Sequence, residues 1–435
     1  MENKKVLHTL LKIGILVLSS AFIGMLLMFL VYLLPTDAMA KNVLKSEAYL
    51  QKQEEWDNKH LLAGTWNQIL DTGTNMIMIH EVIYPNSENA FENSMLVPSF
   101  NVWSNVDKNW TVDALMKSAE GREYTSKNTL LYPKYWHGYL TILKPLFSIM
   151  DIQGIYILNT ITLSALTIAV LVLLYKRLGR YFIAYLVTVL CMHPENMVQS
   201  FQLSAVFYAL NITMLILLMK KDWKKEQILY IFAFDGILIA FFDFLTYPSL
   251  AVAIPLLTVM LMEEKMEYVK GILVYIQRGI AFLIGYAGMW GMKWILATVL
   301  TSKNVIADAL HSVLHRTGAI EQEADATIMS AGVPEALYRN ISIFFDKGNV
   351  IVLAISILVI VVAIGICRNK LQFEQYKIVF SVITMLIPFA WIIVLNNHCS
   401  YHSHLEWRTL CTVIYALGIM CISVLNKKED RIWIK

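Results

Sequence analysis

The chain has 435 residues, 57% of them hydrophobic and only 16% charged, with a formal net charge of +3 and a mean hydropathy of +0.54. A soluble domain of this length needs roughly a quarter of its residues charged to cover its surface, so the composition excludes a soluble globular protein and places the chain in a membrane. The net charge is too small for a nucleic-acid partner. The five cysteines, Cys191, Cys367, Cys399, Cys411 and Cys421, show neither a CxxC pattern nor a disulfide framework.

Taken in chain order, the first apolar run is "IGILVLSSAFIGMLLMFLVYLL", residues 13–34, behind a basic N-terminus. An A-x-A triplet follows at Ala38 and Ala40, but apolar cores of cleaved leaders reach only about 15 residues, and this run has 22. It reads as an uncleaved anchor, segment 1–34. Residues 35–138 then form a loop too long for a connector. Within it "AKNVLKSEAYLQKQEEW" has helix-forming composition. "WNQILDTGTNMIMIHEVIY" breaks at Gly73 and continues as an amphipathic helix expected to lie on the outer membrane surface.

A bilayer core of about 30 Å takes about 20 apolar residues to cross. Apolar segments near 152–174, 181–193, 197–219, 228–246, 249–262, 271–300, 349–367, 378–395 and 409–425 bring the expectation to about ten spans and an all-α polytopic bundle. The bundle occupies 139–300 and 349–435, with a second loop at 301–348. Lysine and arginine set its direction. If the N-terminus is cytoplasmic, the short inner segments hold 19 of the 36 basic residues, whereas 35–138 holds nine basic against thirteen acidic. Both termini are therefore expected in the cytoplasm of a multi-pass cell-membrane protein, with 35–138, 301–348 and 396–408 crowning the outer face.

Several groups along this layout carry chemistry. "LLYPKYWHGYL" gathers Tyr135, Trp136, His137 and Tyr139, either as an interfacial aromatic belt or as a platform for sugar rings. Segment 228–246 carries Asp235 and Asp243, and ionisable groups inside a span suggest function. At 1.5 Å per residue Asp235 sits about 10 Å from the inner end and Asp243 about 22 Å. Asp235 is expected to pair with Arg278 (the alternative being a proton relay), and Asp243 to line a site at the outer interface. Lys293 is expected to reach headgroups or a lipid phosphate. His193 and Glu195 in "CMHPENM" read first as a helix stop and start. The last outer loop, "LNNHCSYHSHLEWR", puts His398, His402 and His404 close to Arg408. Zinc wants three or four converging ligands, and this stretch has no HExxH pattern. Donors to a phosphate at headgroup height are the better reading.

An N-terminal anchor, a large outer loop with surface helices, then many spans of uneven length: this layout resembles the GT-C class of membrane glycosyltransferases. The stretch "YPKYWHGYL" likewise resembles an element of bacterial polytopic membrane proteins associated with surface polysaccharides. The resemblance implies transfer of a sugar from a polyprenyl-phosphate carrier to a surface glycan or lipid acceptor. It implies a catalytic carboxylate in the first outer loop, best matched by Asp71 in "QILDTGTN" and next by Glu81 in "IHEVIY". It also implies basic residues such as Arg408 in a late outer loop for the carrier phosphate. This chain lacks the adjacent Asp-Asp or Asp-Glu pair that many members show. No cofactor is expected, with a divalent cation as the one alternative. The partners implied are membrane lipid, the lipid-linked sugar and its acceptor. The rival readings are a lipid-linked glycan transporter, which the lack of internal repeats disfavours, a glycan polymerase or ligase, and a non-catalytic partner in polysaccharide assembly.

Overall fold

The computed structural model describes residues 2–85, 89–100, 111–121, 129–320, 332–346, 349–358 and 374–425. Helix α1 (Glu2–Tyr32) shows what kind of solvent the fold requires. Ile13, Ala21 and Met28 on one face are buried, while Leu7, Leu11 and Phe22 on the other are more than 60% exposed. A helix apolar on every side with half of it uncovered is stable only where lipid takes the place of water. Six helical stretches among the described residues are long and apolar enough to cross a membrane: Val6–Tyr32, Ile152–Cys191, Phe201–Met219, Tyr268–Leu300, Gln375–Val394 and Ser403–Val424. A bent pair, α16 (Gly332–Phe344) with α17 (Asn349–Leu358), makes a seventh if counted as one span.

This is fewer than the ten expected, for local reasons. Segments 152–174 and 181–193 belong to one 40-residue stretch. In it α8 (Ile152–Leu178) turns at Gly179, φ +59, into the short α9 (Phe182–Cys191). Ten residues of helix are only about 15 Å long, so α9 stops half-way. Its C-terminal end is met by the first loop: Asn196 on α10 (Pro194–Met197) donates to the carbonyl of Asn67 at 3.3 Å. Helix α13 (Pro248–Met262) is also short, and α12 (Lys225–Phe242) begins on charged residues. The expected span 349–367 runs out of the described residues after 358.

The tightest helix crossing is that of α12 with α14 (Tyr268–Leu300). A side chain at Gly236 would strike the carbonyl of Phe282, and one at Gly285 the carbonyl of Ala233. Small residues here let the two backbones touch, the usual device for packing helices in lipid. The crossing also overturns the expected Asp235–Arg278 pair. With Gly236 against α14, Asp235 turns to α11 (Phe201–Met219) and accepts from Thr213 at 2.9 Å. Arg278 pairs instead with Glu263, the C-cap of α13, whose carboxylate stays partly exposed and is cheaper to desolvate.

The first loop is a folded layer. It comprises α2 (Asp37–Leu44), α3 (Glu47–Leu62), α4 (Thr72–Ile83), α5 (Ala90–Leu96), α6 (Val112–Ala119) and a ribbon of β1 (Pro98–Phe100) with β2 (Thr129–Leu131). Helix α4 corrects the reading of a surface helix broken at Gly73. It starts at Thr72 with Gly73 in its first turn, and nine of its twelve residues are buried, Met76 and Met78 on opposite sides among them. The other two loops close on the same end of the bundle. On α15 (Val305–Arg316), Arg316 donates to the hydroxyl of Tyr135 and Ser312 accepts from Lys134. Asn397, on α19 (Asn396–Tyr401), donates to the carbonyl of His315 at 2.9 Å.

Candidate functional site

Asp71 is built into an unusual position. It is the N-cap of α4, in the left-handed region at φ +54, ψ +53, and its side chain accepts from Thr74 N–H at 3.4 Å. Left-handed backbone is disfavoured for residues other than glycine, with Asp and Asn the best tolerated. What holds it there is Asp57 on α3, which accepts from Leu70 N–H at 2.7 Å and from the amide and hydroxyl of Thr72 at 2.8 Å each. One carboxylate thus grips the backbone on both sides of Asp71. Asp57 is missing from the sequence-level candidates because nothing in its own stretch marks it; the turn it serves lies 13 to 15 residues on.

Asp71 is only 8% exposed, and its Oδ2 has no hydrogen-bond partner. Burial pushes its carboxyl up to about 6, against the downward pull of Thr74 and of the Arg408 guanidinium. Arg408 comes from the 3-10 turn Trp407–Leu410, ahead of α21 (Cys411–Leu425), and is completely buried. It donates through Nε to the carbonyl of Met192 and through Nη1 to that of His404, both at 3.2 Å, and lies over the Trp407 ring at 4.6 Å. Its Nη2 has no partner. Asp71 and Arg408 therefore feel each other's charge without forming an ion pair, each with one polar atom left over. A buried polar atom without a partner costs about 1–3 kcal/mol, a cost that Asp71 Oδ2 and Arg408 Nη2 each carry.

Other polar groups lie near the Arg408 turn, the His193 ring 5.9 Å from that of Trp407. His193, also left-handed at φ +58, holds Glu195 through Nδ1 at 2.7 Å, and its Nε2 is unpartnered. The carboxylate of Glu195 is lowered: burial pushes it up, but the His193 hydrogen bond and the pull of Arg408 outweigh that. The fully buried side-chain amide of Asn67 is unpartnered at both ends, next to the Asn196 contact. Sequence reasoning placed His193 and Glu195 at a helix boundary, which is correct, and passed over Asn67 altogether. Their shared signal was "HPEN", where a proline at the first helical position forces the preceding histidine out of the helix.

The remaining candidates sit elsewhere, and most are closed. Glu81, at the other end of α4, is fully buried, and its Oε2 accepts from the hydroxyl of Tyr139 and lies 3.1 Å from Nδ1 of His137. The buried ammonium groups of Lys144 and Lys293 supply countercharge. Lys293 does not reach headgroups. It donates to the carbonyl of Met95 at 2.9 Å and lies over the Trp136 ring at 5.4 Å. Nor do the aromatics form an open platform. Tyr135, Trp136, His137 and Tyr139 are each at most 5% exposed. The indole of Trp136 donates to the carbonyl of Met289, and Gly138 abuts Phe241, wedging the segment between α12 and α14.

Asp243 makes a turn. It accepts from Leu245 N–H and from the amide and hydroxyl of Thr246, and so aims Phe244 among the rings of Tyr132, Tyr135, His137 and Tyr139. The histidines of the last outer loop pack against one another. Rings of His398 and His402 lie 4.7 Å apart, and His398 Nε2 is 2.7 Å from the carbonyl of Leu245. Burial and the neighbouring cations push His398 down to about 3 and His402 well below its ordinary value, so both are neutral at physiological pH. His404 contributes its backbone carbonyl to Arg408, which leaves Arg408 as the cation of this stretch that faces Asp71. Among the described residues no group of three or more His, Cys, Asp or Glu side chains is placed to hold a metal ion.

No family model, curated protein or solved structure matches this chain.

Proposed function

We propose that the chain is a membrane glycosyltransferase of GT-C type that moves a sugar from a polyprenyl-phosphate donor to a surface acceptor at the loop-bearing end of the bundle. The observation that carries this reading is that the buried Asp71 and the buried Arg408 feel each other's charge without an ion pair, each with a polar atom unpartnered. Transfer asks for this pairing of opposite charges. An acceptor hydroxyl attacks the anomeric carbon, the bond from that carbon to the phosphate oxygen breaks, and its electron pair leaves on the phosphate. Asp71 takes the hydroxyl proton. Arg408, with a free N–H in a site screened from water, stabilises the charge that gathers on the leaving phosphate. His193 and Asn67 are placed to hydrogen-bond the sugar or the phosphate.

A donor with a long isoprenoid tail needs an apolar path. A groove of about 410 Å³ runs between α7 (Leu140–Ile149), α8, α11 and α12, with Ile142, Leu158, Tyr208 and Phe242 in its walls. Its polar wall residues bond one another: Tyr208 donates to Asn159, and Asn159 to Ser204. The groove thus offers hydrocarbon no unsatisfied polar group. The distribution of basic residues supports an outward-facing site with both termini in the cytoplasm.

The test compares surface-glycan composition in cells carrying the wild type, a deletion, or Asp71→Asn at matched expression. Loss of one sugar substituent in both altered strains is the expected result. A deletion that loses it together with full rescue by Asp71→Asn removes the carboxylate from the mechanism.

A further inference from the structure

Helix α8 is flanked by two cavities of different character, and the transfer chemistry leaves the second unused. On one side lies the apolar groove. On the other, beyond the bond from the Asn159 amide to the carbonyl of Val198 at 2.8 Å, lies a pocket of about 290 Å³. Its walls are Tyr49 of α3, then Gln153, Tyr156, Ile157 and Thr160 of α8, and Gln199 beside Val198. We infer that this pocket binds the uncharged, hydroxyl-bearing head of a lipid in the leaflet nearest the loops.

The position suits a lipid head. Helix α8 starts where Ile152 N–H donates to the hydroxyl of Ser46 in the loop layer at 3.0 Å. Thr160, the deepest of its residues in the pocket, is about 12 Å further along the helix. Gln153, Ile157 and Thr160 at the mouth are exposed, Ile157 to 61%, whereas Tyr156 is buried and Tyr49 and Gln199 are half-buried. On a stretch that crosses the membrane, an apolar side chain so uncovered meets lipid, and the mouth therefore opens sideways to the bilayer. The back is held firmly. Oε1 of Gln199 accepts from Tyr49 and Gln53 at 3.1 Å each, and the amide of Asn75 donates to the Gln199 carbonyl at 2.9 Å and to the Tyr156 hydroxyl at 3.0 Å.

The lining selects the ligand. None of its residues is charged, so a phosphate has no cation to meet. The hydroxyls of Tyr49 and Thr160 use their protons on Gln199 and on the Tyr156 carbonyl, the latter at 2.7 Å, and have only lone pairs left to offer. Those lone pairs repel a phosphate oxygen and accept from a hydroxyl. The side-chain amide of Gln153 has no partner among the described residues and both donates and accepts. The volume is near the lower limit of ligand pockets, about 300 Å³, and so admits a head group while the chains stay in the bilayer. On the transferase reading this is where a lipid acceptor docks, since Gln53 and Asn75 stand one turn from Asp57 and Asp71 on their helices; binding itself follows from the pocket.

The experiment places the full chain in nanodiscs holding equal amounts of monoglucosyldiacylglycerol and phosphatidylglycerol with the same acyl chains, and reads by native mass spectrometry which lipid stays bound. Phosphatidylglycerol carries hydroxyls too, but on a charged head. Gln153→Leu removes the free amide and Thr160→Trp fills the mouth. Ile161→Trp adds the same bulk on a neighbouring residue that is 62% exposed and lies outside the pocket. The wild type is expected to retain the glucolipid about threefold or more over phosphatidylglycerol. That ratio should fall in Gln153→Leu, reach parity in Thr160→Trp and stay unchanged in Ile161→Trp. Equal retention of the two lipids by the wild type, or a preference for phosphatidylglycerol, overturns the inference. So does a wild-type ratio in both pocket variants. A preference kept by a chain that transfers no sugar would sink the proposed reaction and leave this pocket standing.

Discussion

Two buried carboxylates sit on the two ends of one helix, and their surroundings differ in a way that separates function from scaffolding. At the far end of α4, Glu81 is fully buried between the Tyr139 hydroxyl and His137, with Lys144 and Lys293 as countercharge. At the near end, Asp71 lies within electrostatic reach of Arg408, whose Nη2 is unpartnered, and is held in a left-handed conformation by a second carboxylate. Burial and one unpartnered carboxylate oxygen, Oδ2 of Asp71 and Oε1 of Glu81, are common to both. What distinguishes Asp71 is the left-handed backbone that Asp57 holds in place, strain of the kind that gathers at functional sites.

The sharpest way to break this contrast is to remove the cation. Arg408→Ala is expected to lower transfer about a hundredfold to a thousandfold, the usual loss when a charge-stabilising donor is deleted. The rate is to be measured per folded molecule, because the buried guanidinium also supports the carbonyls of Met192 and His404. Asp71→Asn should lower transfer at least about a hundredfold yet raise stability. The sign follows from the raised carboxyl: a group at about 6 when folded against 3.8 when unfolded binds its proton more tightly in the native state. Relative to a neutral side chain its contribution is therefore nil below pH 3.8, turns unfavourable between 3.8 and 6, and above 6 is a standing penalty of about 3 kcal/mol. Asparagine tolerates the left-handed backbone and removes the charge, so a thermal or denaturant midpoint higher than wild type at pH 7 is expected.

Glu81→Gln is the counter-case. It strips the countercharge from two buried lysines and should cost about 1–3 kcal/mol of stability, leaving transfer per folded molecule unchanged. A smaller effect concerns pH. Transfer should fall on acidification with a midpoint near 6, where Asp71 takes up its proton. A profile flat through pH 6 would detach Asp71 from the rate.

How much of this was legible in the sequence varies with the range of the cause. Helicity, the anchor and the gathering of three loops at one end followed from apolar run lengths and from where polar segments interrupt them. Asp71 and Arg408 were legible as types of residue at suitable places in the order of segments. The rest depended on long-range packing. The Asp235–Arg278 pair failed because Gly236, not Asp235, faces α14, a rotation that an all-apolar helix leaves unmarked. The charge of the histidines depends on burial and on their neighbours, which the stretch itself does not mark. Tyr135 and Trp136 read first as a belt and second as a platform; their burial, with Gly138 wedged against Phe241, depends on packing that the stretch does not mark.

The central claim is that Asp71 is held at a cost to stability for the sake of a reaction. Its most direct test records, on one preparation of Asp71→Asn in nanodiscs at pH 7, both the thermal midpoint and the rate of sugar transfer from a polyprenyl-phosphate donor. The account predicts opposite movements, a midpoint above wild type with transfer reduced about a hundredfold or more. A midpoint below wild type with transfer per folded molecule intact would contradict it, and would make Asp71 a helix cap and nothing further.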